Sequence, residues 1–242
     1  MNPRLTLATA RRVLSQIRND HRTMALLIGV PTVLMTLLWW IYEGSDVFSR
    51  IGAPLLGIFP LTIMFLITSV TTLRERTSGT LERLMTMPIR RADFVVGYAI
   101  ALGFAALVQT AAVATYAILV LGLEVAGPEW MLLGVSVLSA VLGVTMGLAA
   151  SSMARTEFQA VQFMPALIFP QFLLCGLLVP RDQLPPAAEF ISSFLPLSYA
   201  VDAVKEVAAS PDPTIGTEVA IIAVFILALL ALGILTLRRR SE

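Results

Sequence analysis

The chain has 242 residues, 57% of them hydrophobic and 14% charged, with a mean hydropathy of +0.84 and a formal net charge of +1. Soluble domains are about 45–50% apolar and about 25% charged, so this composition excludes a water-soluble globule and a disordered chain, and predicts an all-α integral membrane protein. Single copies of cysteine (Cys175), histidine (His21) and lysine (Lys205, between Val204 and Glu206) exclude an internal disulfide, a His/Cys structural zinc site and a GxxxxGK[ST] phosphate loop.

The N-terminal segment, Arg4 to Arg22, places Ala10, Val13, Leu14 and Ile17 at i, i+3, i+4, i+7, with Arg11, Arg12 and Arg18 on other faces. This predicts an amphipathic helix at the inner membrane surface, acting as a lipid-surface anchor or as a lever between a cytoplasmic partner and the first span. The first apolar run is Met24–Tyr42. No A-x-A-like cleavage site follows Trp39-Trp40-Ile41-Tyr42, so a retained span is expected. A second run covers Ile51–Leu73.

Between the second and third runs lies Arg74–Asp93, RERTSGTLERLMTMPIRRAD. Gly79 and Thr80 suit a helix start, and Glu82 suits its first turn. Leu81, Leu84 and Met85 form an apolar stripe, and Pro88 ends the helix. A short amphipathic helix tethered between two spans suits docking into a groove on a partner. The plainer alternative is a loop whose arginines only set topology.

The third run, Phe94–Leu123, carries Gly97, Ala101 and Ala105 at i+4 spacing, and the fourth, Met131–Met153, carries Ser139, Gly143 and Gly147. Such stripes of small residues let helix backbones approach, within one chain or in a dimer seam. The fifth run is Phe158–Pro180, with Pro165 and Pro170 as a candidate hinge. Next comes the longest loop, Arg181–Thr217, where prolines bracket two short helices, Ala187–Leu195 and Ser198–Ala209. Such a hairpin is able to re-enter the outer leaflet if protein covers its turn. Asp202 and Glu206, at i, i+4 around Lys205, are expected on the wet side of the second of these helices. The sixth run is Val219–Leu237.

None of the six runs contains Asp, Glu, Lys, Arg or His. A charge at a helix centre costs about 2.5–3.5 kcal/mol on insertion scales, so lipid-embedded segments require this. With the N-terminus inside, fourteen arginines fall on the cytoplasmic side, and Arg50, Arg181 and Lys205 fall outside. With six spans, the positive-inside rule therefore predicts that both termini are cytoplasmic. The absence of ionisable groups at mid-membrane disfavours an ion-coupled carrier, and no nucleophile–base pair marks an intramembrane enzyme.

At Glu75-Arg76, Gly79-Thr80-Leu81-Glu82 and Met87-Pro88 the chain resembles the membrane subunits of the ABC-2 exporter family, which includes daunorubicin-resistance-type permeases. A second block, Cys175-Gly176-Leu177-Leu178-Val179-Pro180 through Leu184-Pro185 to Leu195-Pro196-Leu197-Ser198-Tyr199, resembles that family's outer hairpin. The resemblance covers nearly the whole chain as one domain, residues 1–242. It implies a non-catalytic permease subunit in the plasma membrane. Two such subunits pair, as a homodimer or with a related permease, and two separate ATPase subunits carry ATP and magnesium.

On this resemblance, Glu75, Arg76, Gly79, Thr80, Leu81, Glu82, Leu84 and Met85 couple the chain to the ATPase. The path runs along the dimer seam on the second and fifth spans, with Thr62, Phe65, Ser69, Gln159, Gln162, Phe163, Phe169 and Gln171 as its candidate lining. The plain alternative for these polar residues is packing and interhelical hydrogen bonding, worth about 0.6 kcal/mol each. An amphipathic small molecule or lipid is the expected cargo. A polysaccharide or glycolipid is the alternative, and it is disfavoured by the 8% aromatic content. No cofactor on this chain and no nucleic-acid partner are expected.

Overall fold

The computed structural model describes residues 3–43, 47–78 and 91–236, and every regular element among them is helical. Helix α1 is Pro3–Asn19. Its buried stripe is Thr6, Thr9, Ala10, Val13 and Ile17, the 3.6-residue period of an amphipathic helix. Asp20 then leaves the helix with an extended backbone (φ −92°, ψ 93°) and caps the next one. Its carboxylate accepts from the Arg22 and Thr23 amides at 3.0 and 3.3 Å and from the Thr23 hydroxyl at 2.7 Å. These bonds, led by the Thr23 hydroxyl, hold the Asp20 carboxyl below its ordinary pKa.

The first membrane helix is α2 (His21–Met24), a π-helical turn (Ala25–Gly29) and α3 (Val30–Ile41) in one continuous rod. Pro31 explains the widened turn: it lacks an amide proton, and its ring crowds the carbonyl four residues back. This rod is peripheral, exposing Val33, Leu37, Trp40 and Ile41.

Helix α4 (Val47–Thr77) is the centre of the bundle. Its 31 residues span about 46 Å at 1.5 Å per residue, longer than the about 30 Å bilayer core. Helix α5 (Arg91–Leu119) follows, then α6 (Glu129–Met153). Gly122 takes φ +68°, open only to glycine at little cost, and lets Leu123 donate back to the Ala117 carbonyl at 3.0 Å. The third expected span therefore stops short, and residues 120–123 form its cap rather than its last turn.

The α4–α6 contact is the most extensive among the described residues, and small residues make it possible. The Ser139 hydroxyl donates to the Gly57 carbonyl at 2.7 Å. A Cβ on Gly143 would lie 2.1 Å from the Leu61 carbonyl oxygen, and one on Gly147 would lie 2.6 Å from that of Phe65. The Ser139/Gly143/Gly147 stripe thus packs α6 on α4 within the chain. The stripe on the third span is likewise intramolecular: a Cβ on Gly97 would meet Thr9 of α1 at 2.8 Å, and Ala101 and Ala105 are buried in one apolar cluster with Ala10, Val13 and Ile17 of α1.

Helix α7 is Glu157–Leu174. The expected fifth span, 158–180, is shorter than its apolar run. Cys175 leaves the helix and Gly176, at φ +85°, reverses the chain. Among the described residues, five helices are long and apolar enough to cross a membrane: His21–Ile41, Val47–Thr77, Asp93–Leu119, Glu129–Met153 and Gly216–Leu235. Three glutamines and two prolines in 18 residues separate α7 from that group.

Beyond a 3₁₀ turn (Arg181–Gln183) come α8 (Pro186–Ser192) and α9 (Pro196–Ala209), each with proline in its first turn, where no amide proton is needed. Helix α9 is not a surface helix. Leu197, Ala200, Val201, Ala203, Val204 and Val207 are fully buried, against α4, α6 and α10 (Gly216–Thr236). Its last carbonyls are satisfied by the loop before α6, where Ala126 and Gly127 donate to Ala208 and Val207 at 3.0 Å.

Candidate functional site

The C-terminal end of α4 gathers the polar contacts. Arg74, Glu75 and Arg76 are consecutive, so the 100° step of a helix aims them in three directions. Arg74 makes a two-pronged bond to Glu157 at the start of α7, Nε to Oε1 at 2.8 Å and Nη2 to Oε2 at 3.0 Å. The Arg74 guanidinium holds the Glu157 carboxyl below its ordinary pKa. Arg76 donates through Nη1 to the Ser151 carbonyl in the last turn of α6, where orphan carbonyls and the helix dipole favour a cation.

Glu75 points to α1. Its Oε1 accepts from Arg12 Nη1 at 3.1 Å and from Gln16 Nε2 at 3.3 Å, and its Oε2 accepts from Arg12 Nη1 at 3.3 Å. Arg12 Nη2 also donates to the Tyr98 hydroxyl of α5 at 3.3 Å, and the Tyr98 ring stacks on Phe94 at 4.5 Å. The Glu75 side chain is 8% exposed and that of Arg12 is 32% exposed. Thr6 adds a bond to Asp93 at 3.3 Å. One node therefore ties α1, α4 and α5, and adjacent residues tie α6 and α7.

Glu75 and Arg76, expected among the partner-docking residues, are engaged within the chain. The apolar stripe of α1, expected on lipid as an anchor or on a lever, lies on α5. The rest of the expected coupling set, Gly79, Thr80, Leu81, Glu82, Leu84 and Met85, lies outside the described residues.

The expected path residues do not form one surface. Phe65 and Ser69 are fully buried where α4 meets α6. Thr62 is half-buried, with its hydroxyl returned to the Ile58 carbonyl at 2.8 Å. Phe163 is half-buried against the core. Gln159 belongs to a helix cap: its amide nitrogen on the backbone donates to the Thr156 hydroxyl at 3.2 Å, and its side-chain oxygen accepts from the Arg155 amide at 2.8 Å. Thr156-x-x-Gln159 is a capping-box sequence, readable without a structure. Only Gln162 and Phe169 lie exposed, on a stripe of α7 with Phe158 and Leu173.

Gln171 is a joint. Its side-chain oxygen accepts from the Leu197 amide at the start of α9 at 3.3 Å, and its nitrogen donates to the Leu167 carbonyl at 2.9 Å. Gln171→Leu orphans the Leu197 amide and costs about 1 kcal/mol locally. Cys175, fully buried four residues on, reports this. Thiol labelling is expected to quicken about fivefold in the variant. Unchanged labelling would mean that the joint does not depend on Gln171.

In the segment after α7, Arg181 organises the hairpin. It pairs with Asp202, donates from Nε to the Ser192 hydroxyl at 3.0 Å and sits 5.3 Å over the Tyr199 ring. The Tyr199 hydroxyl donates to the Ser193 carbonyl at 2.7 Å, and Lys205 donates to the Gly176 carbonyl. Asp202 is therefore an internal partner of Arg181, where a wet helix face was expected.

The sequence profile of the ABC-2 type transporter family matches residues 4–208. Curated proteins similar to the chain include ABC transporter G family member 20 of Dictyostelium discoideum, 28% identical over 141 residues, which are 58% of this chain and 19% of that protein. The probable multidrug ABC transporter permease YbhS of Escherichia coli (strain K12) is 25% identical over 58% of this chain and 37% of its own length. Nodulation protein J of Rhizobium leguminosarum bv. viciae is 25% identical over 40% of this chain and 38% of its own length. The chain thus matches less than two fifths of the length of each of these three relatives.

Proposed function

Since the chain belongs to the ABC-2 type transporter family, we propose that it is the membrane-spanning, non-catalytic subunit of an ATP-driven exporter in the plasma membrane, with both termini cytoplasmic. Helix α7 completes six spans. Separate ATPase subunits, two per transporter, bind and hydrolyse ATP with magnesium. They dock on the loop that carries Leu81 and Glu82. A second copy of the chain, or a related permease, packs on the exposed stripe of α7, and Gln162 and Phe169 face the cargo at that seam.

The observation that supports this reading is the base of α4. The helix entering the coupling loop carries three adjacent side chains bonded to α1, α6 and α7. A push on the loop is therefore delivered to several membrane helices at once, as a two-state exporter biased by its ATPase requires. The cargo is an amphipathic small molecule or lipid, in keeping with the multidrug permease name of one similar protein. The test is co-purification with the ATPase and ATP-dependent efflux. Leu81→Asp is expected to weaken both about tenfold, by setting a charge in an apolar docking groove. Undiminished association and efflux would refute the docking role, and efflux that persists without ATP but needs a proton gradient would refute the exporter.

A further inference from the structure

Helix α1 has two faces, and protein covers only one. Thr6, Thr9, Ala10, Val13 and Ile17 are buried against the bundle. The opposite face carries Leu7, Ala8, Arg11, Ser15 and Arg18, and Arg22 follows across the Asp20 joint. Arg11, Arg18 and Arg22 are exposed, and none forms an ion pair among the described residues. Helix α1 itself contains no acidic residue. On the same face is a shallow depression of about 540 Å³ lined by Leu7, Ala8, Arg11, Arg12 and Ser15, with Leu7 62% exposed.

We infer that this outward face of α1 binds anionic phospholipid of the inner leaflet, with headgroup phosphates on Arg11, Arg18 and Arg22 and acyl-chain carbon over Leu7 and Ala8. Three observations select lipid over an acidic protein surface. Arg22 lies in the first turn of the first membrane helix and Arg18 one turn before it, which sets both guanidinium groups at headgroup depth. The depression has an apolar floor beside its cations, the pairing a phospholipid presents. The apolar stripe that would otherwise insert into the bilayer is already occupied by α5, so attachment on this side rests on charge. The inference rests on the cytoplasmic N-terminus of the proposed reading, and it stands apart from the transport activity.

The test uses purified full-length chain in micelles holding equal phosphatidylglycerol and phosphatidylcholine, with retained lipid identified by mass spectrometry. The wild type is expected to retain phosphatidylglycerol over phosphatidylcholine about tenfold, a preference lost at high ionic strength. Arg11→Gln/Arg18→Gln/Arg22→Gln abolishes the preference. Arg11→Lys/Arg18→Lys/Arg22→Lys, which keeps the charge, preserves it and guards against a variant that fails to fold. Equal retention of the two lipids by the wild type, or a preference that survives in the glutamine variant, overturns the inference. So does displacement of the lipid by millimolar inorganic phosphate, which would make the ligand a free anion. Loss of ATPase association in the glutamine variant with its lipid preference intact would assign the face to a protein partner and equally overturn it.

Discussion

Gly143→Ala is expected to destabilise the protein by at least about 3 kcal/mol, the upper range for overpacking a close-fitted interior. The added methyl would sit 2.1 Å from the Leu61 carbonyl oxygen and 2.8 Å from the carbonyl carbon. Both are backbone atoms of a buried helix, so no rotamer change relieves the overlap. The two helices must separate along their whole seam. That loosens the Ser139–Gly57 bond and the dispersion contacts on which association of membrane helices depends. Gly147→Ala is expected to cost somewhat less, since its nearest atom lies at 2.6 Å. Gly134, in the same helix, has no neighbour within 4 Å, and its replacement by alanine is expected to be neutral or slightly stabilising. Thermal denaturation of the three purified variants in one detergent measures the order. If Gly143→Ala and Gly134→Ala melt together, the α4–α6 seam is not as close as described.

Arg12→Gln has the second-largest expected effect, about 2 kcal/mol. Removing one member of a fully buried pair costs about 3–5 kcal/mol, because it strands a charge. Arg12 keeps 32% of its side-chain exposure, so solvent screens part of that loss. Glu75, at 8%, would lose its cation and retain neutral partners such as Gln16. The double variant Arg12→Gln/Glu75→Gln is expected to be more stable than the sum of the single losses by about 1–3 kcal/mol, the coupling of a bonded pair. Denaturation of all four proteins closes this cycle. Strict additivity would show that the pair makes no energetic link between α1 and α4. In the transport reading the single variants also lower ATP-driven efflux while ATPase association persists, since the break lies above the docking loop.

Much of the architecture is legible in one dimension, with losses at identifiable residues. The 3.6-residue stripe of α1 and the small-residue stripes at Ser139/Gly143/Gly147 and Gly97/Ala101 were readable because side-chain periodicity is a property of a single helix. Helix ends were less so. Gly122 and Gly176 end two apolar runs early, and a hydropathy count is blind to a positive φ. The glutamines of α7 show the same limit. Gln159 had a local signal in Thr156-x-x-Gln159, whereas Gln171 had none, because its partner Leu197 is 26 residues away.

Membrane residence, the order of the spans and the absence of a nucleotide-binding loop follow from residue types and their spacing. Each depends on a transfer free energy or a motif local in the chain, and no neighbour alters it. Which face of α1 is covered, where Glu75 and Arg76 point and how deep α9 lies were settled only by the packed bundle. In those cases the deciding term is the pairing of a charge or a buried face with a group on a distant helix, and no stretch of sequence carries that partner's position.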